Sequence, residues 1–200
     1  MTPDELAVLM HRPATGPYST TVAVDGVATS TLLDLPPGRD GLLFVGLNPS
    51  PVSVKTGHYH QGQLGQLFWR RLMLAGVLPP GTPISTADEA LVAAGHGITD
   101  LLKAPSARDE ATDAQLTGGV GALWQKIALW RPAAVVFIYK RAASVAAGRP
   151  LDEPWGQLSG VALAGRPCFL MPGPYAASDS VEAGVTFLRN LASTLPLDRA

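Results

Sequence analysis

Two unbroken apolar runs stand out along this chain, GLLFVGL (41–47) and AAVVFIY (133–139). Neither has a polar face, which is the pattern of strands buried on both sides of a parallel sheet. Elsewhere the spacing is helical. Leu64, Leu67, Phe68, Leu72 and Ala75 fall on one face of residues 64–78, with Arg70 and Arg71 on another. That predicts an amphipathic helix, with Gly76 near its end as a cap. Between residues 20 and 33, small and β-branched residues flank Asp25-Gly26, a strong signal for a β-hairpin.

The remaining segments fill in around these. PPGTP (79–83) ends the first helix, and Ser85 or Thr86 is placed to cap a short second one over STADEALVAAG. In GHGITDLLKAP (95–105), Ile98 and Leu101 predict a short strand or turn. A polar, acidic linker then leads to a helix over about 113–129, and another helix follows at about 141–147. Two runs around Ala164-Gly165 predict a hairpin, and SVEAGVTFLRNLASTL predicts a terminal helix. Alternating strands and helices point to one α/β domain: a three-layer α/β/α fold with a central, mainly parallel sheet over 35–195. Residues 1–34 form an N-terminal extension that carries the extra hairpin. Ligands in such sheets bind outside the carboxyl ends of the strands. Four segments belong there: NPSPVSVKTGHYHQG (48–62), ITDLLKAP (98–105), YKRAA (139–143) and MPGPYAAS (171–178).

Composition narrows the chemistry. The 200 residues are 46% hydrophobic, enough for one sizeable core. The single cysteine, Cys168, excludes an internal disulfide framework and a four-cysteine metal or iron–sulfur site. Its apolar neighbours read as burial. The N-terminal residues lack a leader pattern, and no apolar run approaches the roughly 20 residues of a membrane span. A cytoplasmic monomer with no membrane partner is the expectation. With 15 basic and 16 acidic residues, no global field draws in a polyanion, so contact with nucleic acid would rest on a local basic rim.

No P-loop, G-x-G-x-x-G or G-x-S-x-G pattern is present. His58 and His60, with His96 as a third ligand, make a poor metal set, and a polar loop lining a cleft is the better reading. Neither metal nor cofactor is expected. Asn48, between Leu47 and Pro49 just past a strand, is either a cap for the loop backbone or a chemical group. An amide carbonyl polarises water only weakly. That suffices when the leaving group does most of the work, as when a stabilised anion departs from a sugar through an oxocarbenium-like transition state. Tyr59 or His60 would give the departing ring a flat surface.

Seven short stretches, in order, resemble the mismatch-specific uracil- and thymine-DNA glycosylases of the uracil-DNA glycosylase superfamily. GLNPS matches that family's G-[IL]-N-P-G, TGHYHQG its T-G-H-H-Y-P-G-like loop, and QLFW its N-x-F-W. GITDLL matches G-[VIF]-T-[KN]-[LM]-V, and IYK and WGQ match L-G-K and W-G-K. MPGPYA stands where relatives carry M-P-S-S-S-A or N-P-S-G-L-S. Together they cover about 35 to 190.

The resemblance implies a base-excision repair enzyme that extrudes uracil, chiefly from G·U mismatches, and hydrolyses its N-glycosidic bond. Its partner is double-stranded DNA with a mismatched or damaged base, and single-stranded DNA is a further possible substrate. Asn48 would position the water, and His60 would stack on the base beside Leu47, Ser50 and Tyr59. Gly173, Pro174, Tyr175 and Ala176 would form a wedge that enters the duplex, with Tyr175 filling the gap. Asp100, where relatives have Lys or Asn, is a second catalytic candidate, because a desolvated carboxylate is a better base than an amide. Lys55 and Lys140 are the expected phosphate contacts. Ser50 replaces the family's glycine, and Ala177 stands where relatives often carry arginine. Two other readings remain: a damaged-base-binding protein without catalysis, and a hydrolase of free nucleosides.

Overall fold

The structure, a computed structural model, describes residues 10–107, 110–173 and 176–194. Its first element is the expected hairpin, β1 (Ser19–Val24) paired antiparallel with β2 (Val27–Leu32), with Val24 opposite Val27. Asp25 and Gly26 both take positive φ, 51° and 79°, as a two-residue turn matched to the twist of the strands requires.

The central sheet contains β3 (Leu42–Gly46), β4 (Gly97–Asp100), β5 (Ala134–Phe137), β6 (Gly156–Leu163) and β7 (Arg166–Leu170), in the order β4-β3-β5-β7-β6. Every pairing is parallel except the β6–β7 hairpin. Alternation along β3 shows why its apolar run is unbroken. Leu42 and Phe44 join one core, whereas Leu43 and Val45 join the other. The first core packs under α2 (Gln66–Leu74), α3 (Ala87–Ala93), α6 (Ser178–Thr194) and the base of the hairpin. The second packs under α4 (Asp113–Trp130) and α5 (Lys140–Ala147). The result is the three-layer α/β/α fold. Cys168 lies in the second core, where burial pushes its thiol up to about 11.

Several local expectations need correction. Residues 51–56, read as open loop, form a short helix, α1 (Pro51–Thr56). Ser50 is its N-cap, accepting from Ser53 N at 3.2 Å, with Pro51 as the first helical residue. The helix read over 64–78 is limited to Gln66–Leu74. Ahead of α3, Ile84–Thr86 forms a single 3-10 turn, and Thr86 makes no side-chain cap bond.

Two features position the site. The outer edge of β4 is covered by Leu35, whose N–H and carbonyl pair with Ile98 at 2.9 and 2.8 Å. From β3 the chain moves to β4 on one side and later to β5 on the other. The crevice at the carboxyl end of β3 is therefore a topological switch point.

Candidate active site

A cleft of about 670 Å³ opens at that switch point. Leu47 and Asn48 reach it from the end of β3, Asp100 from the end of β4, and Tyr139 and Lys140 from the end of β5. Ser50, Tyr59 and His60 line it from the segment around α1, and Gly173 from the loop after β7. Leu32, at the end of the hairpin, closes part of the wall.

Asn48 is oriented by its neighbour across the cleft. Its Nδ2 donates to Ser106 Oγ at 2.8 Å and to the Pro49 carbonyl at 3.3 Å. With the amide nitrogen engaged, Oδ1 is the group left to accept a hydrogen bond from a water. Ser106 N in turn donates to Pro49 O at 3.2 Å, so this loop is tied to the Asn48 turn twice.

Asp100 lies directly across from Gly46 in the β3–β4 register and is only 3% exposed. Burial pushes its carboxyl up to about 7, with Asp34 adding to the rise, while Lys103 and Lys126 pull the other way. A group poised there exchanges a proton near neutral pH. Behind it lies a compact ionic cluster. Asp34 Oδ1 accepts from Lys103 Nζ at 2.5 Å and from Thr99 Oγ1 at 2.5 Å, and Asp34 Oδ2 pairs with Lys126 Nζ at 2.8 Å. The two ammonium groups outweigh the desolvation of Asp34 and hold its carboxyl down at about 2.

The three clustered aromatics differ in use. Tyr59 is buried, with its hydroxyl donating to Leu33 O at 2.7 Å and its N–H to Asp88 Oδ2 at 2.8 Å, so it forms a fixed wall of the cleft. His58 points elsewhere: Nδ1 lies 2.9 Å from Asp88 Oδ1, and its ring meets the edge of Tyr18. His60 takes a left-handed backbone, φ 54°, and its ring packs 4.8 Å from Phe68 and 6.4 Å from Tyr139. Burial pushes that imidazole down to about 4, so it is neutral at ordinary pH. Its Nε2 is buried without a hydrogen-bond partner among the described residues. His96 is in the core, where Nδ1 accepts from Leu42 N at 3.1 Å. Among the described residues no three His, Cys, Asp or Glu side chains gather as a metal-binding group.

Residues 34–188 match the family model of the uracil DNA glycosylase superfamily. The chain belongs to that superfamily. No curated protein matches the sequence.

As a DNA glycosylase of this superfamily, the protein acts on DNA, and its charged rim is therefore of interest. Lys140 begins α5, is exposed, lines the cleft, and has no carboxylate partner among the described residues. Lys55 does not line it: as part of α1, it projects from an exposed last turn. Arg71, on the polar face of α2 by its spacing, is buried, and its Nη1 donates to the carbonyls of Pro172 and Gly173 at 2.6 and 3.0 Å. It anchors the start of the loop expected to form the wedge. Arg141 Nη2 is held by Asp113 at 2.8 Å.

In that loop, Ala176 N donates to Gly173 O at 3.0 Å just ahead of α6. Pro174 and Tyr175, the centre of the expected wedge, lie outside the described residues. Ser50 has a structural reason to replace glycine, since its hydroxyl caps α1 and donates to Ser53 Oγ at 2.9 Å. Sequence reasoning missed Ser106, Asp34, Leu32 and the role of Arg71. For Ser50 a signal existed, since Ser-Pro is a common helix start. For the others, pairs up to a hundred residues apart leave no local trace.

Proposed function

We propose that this glycosylase removes uracil from DNA, chiefly opposite guanine, as a monofunctional enzyme that extrudes the nucleotide and uses water as its nucleophile. The observation that carries this reading is the meeting of Asn48, held by Ser106, with Asp100 in one cleft beside the neutral ring of His60. Asn48 Oδ1 accepts a hydrogen bond from the attacking water. Asp100, as carboxylate, takes the proton while the water oxygen bonds to C1′. The C1′–N1 bond breaks as uracil leaves with its electron pair. General-base assistance of this kind is worth about 10²–10⁴-fold. The cost of extrusion, a few kcal/mol, is least at a mismatch, which is the source of the preference for G·U.

The test uses labelled duplexes containing one U·G or U·A pair, and a single-stranded uracil oligonucleotide, each treated with alkali after incubation. Cleavage only after alkali, fastest for U·G, is expected of the wild type. Asn48→Ala should lose at least about 10²-fold in rate with unchanged melting behaviour, and Asp100→Asn should lose its activity on the single strand. A gel shift without excision would leave a damaged-base binder. Release of uracil from free nucleoside alone would indicate a nucleoside hydrolase.

A further inference from the structure

Asp34 stands outside the cleft, yet it is the hub of the ionic cluster behind Asp100. Lys103 Nζ donates to Asp34 Oδ1 at 2.5 Å and to Leu32 O at 2.9 Å. Lys126 Nζ lies 2.8 Å from Asp34 Oδ2 and donates to Thr99 Oγ1 at 3.1 Å. Both ammonium groups are thus engaged on Asp34, and neither forms an ion pair with Asp100, the neighbour of Thr99 in the chain. We propose that Asp34 is a positioning residue for base excision: by binding Lys103 and Lys126 it keeps them from pairing with Asp100 and leaves that carboxylate available to accept the proton of the attacking water. The inference rests on the reading of Asp100 given above.

The charge arithmetic supports it. Two cations near a carboxylate stabilise its ionised form and weaken it as a base, whereas an anion bound to both offsets part of their field. The groups that bear on Asp100 are Asp34 from the segment after the hairpin, Lys103 from the loop after β4, Lys126 from α4, and the Tyr59 phenol. That phenol is raised well above its ordinary value by burial and stays neutral throughout the working range. Lys140 and Arg141 from α5 line the same cleft.

The test is the pH dependence of single-turnover uracil excision from a U·G duplex, over about pH 5 to 9. In the wild type, activity should rise with pH as Asp100 loses its proton. Asp34→Asn should move that limb to lower pH by about 1 unit or more and lower the plateau, because the base is weaker. Lys103→Met should move the limb the opposite way, to higher pH. A general loss of packing does not displace a titration in two directions. Circular dichroism verifies folding, and if Asp34→Asn does not fold alone, it is compared within Lys103→Met: a limb at lower pH in the double variant than in Lys103→Met upholds the inference, and coincident limbs overturn it. If Asp100→Asn abolishes the limb while both other variants keep it in place, the role of Asp34 is overturned and Asp100 remains the base. If Asp100→Asn retains the wild-type limb, the reading of Asp100 fails, and the role of Asp34 with it.

Discussion

Gly46 has no side chain where Asp100 occupies the space: a Cβ on Gly46 would lie 2.1 Å from Asp100 Oδ1. The two residues are register partners on neighbouring strands, so neither backbone has room to retreat. Gly46→Ala should therefore displace the carboxylate. Misplacing a reacting group by about 1 Å costs on the order of 10²-fold in rate, and crowding a packed strand costs about 1–3 kcal/mol. Single-turnover kinetics and thermal melting check both. A variant with wild-type rate would show that Asp100 need not sit where it does.

Removing the Ser106 hydroxyl, itself part of the cleft lining, leaves the Asn48 amide held, among the described residues, only by the Pro49 carbonyl. A hydrogen bond of about 1 kcal/mol corresponds to a roughly fivefold loss. Ser106→Ala should show that loss in the excision rate, with little change in affinity for the duplex. An equal loss in binding and none in rate would point away from amide orientation.

His60 gives a stability signature in acid. Its folded value, about 4, lies below the ordinary 6.5 of an imidazole in water. On acidification the unfolded chain takes up the proton first, so the contribution of His60 is full above about pH 6.5 and is lost as pH falls toward 4. His60→Phe lacks this term and keeps a flat ring. Relative to the wild type it should gain on the order of 2 kcal/mol between neutral pH and pH 4.5 or so, read by denaturant melts. Parallel curves for the two proteins would count against a neutral, buried imidazole.

Lys140 and Lys55 should separate cleanly. Lys140→Ala should weaken binding to damaged and undamaged duplex alike and reduce the salt slope of log K by about 1. Lys55→Ala, on the exposed turn of α1, should leave both unchanged. A reversed result would place the DNA track on the α1 side of the molecule.

The parts of this fold that were legible in sequence are those with local causes. GLLFVGL and AAVVFIY announced β3 and β5 because both sides of each strand are buried, and Asp25-Gly26 announced the hairpin because that turn needs two positive φ values. The segment PVSVKT hid α1, since six residues with two valines show no apolar periodicity, and with it the place of Lys55 on an exposed helical turn outside the cleft lining. Within the site, Asn48 could be named from its place just past β3, and Asp100, the last residue of β4, from its place in a stretch that resembles the family. The partnership of Asp34 with Lys103 and Lys126 could not, because ion pairs spanning 69 and 92 positions follow from the order of strands in the sheet, which no spacing reveals.

The bridge between Leu35 and Ile98 sets a practical boundary for anyone shortening this protein. A fragment trimmed to the matched region would begin at Asp34, placing a free amino terminus, a third cation, against Lys103 and Lys126. It would also discard the Leu32 carbonyl that receives the Lys103 ammonium. The end of the hairpin is thus tied to the ionic cluster behind Asp100, and a fragment that keeps those contacts starts upstream of Leu32.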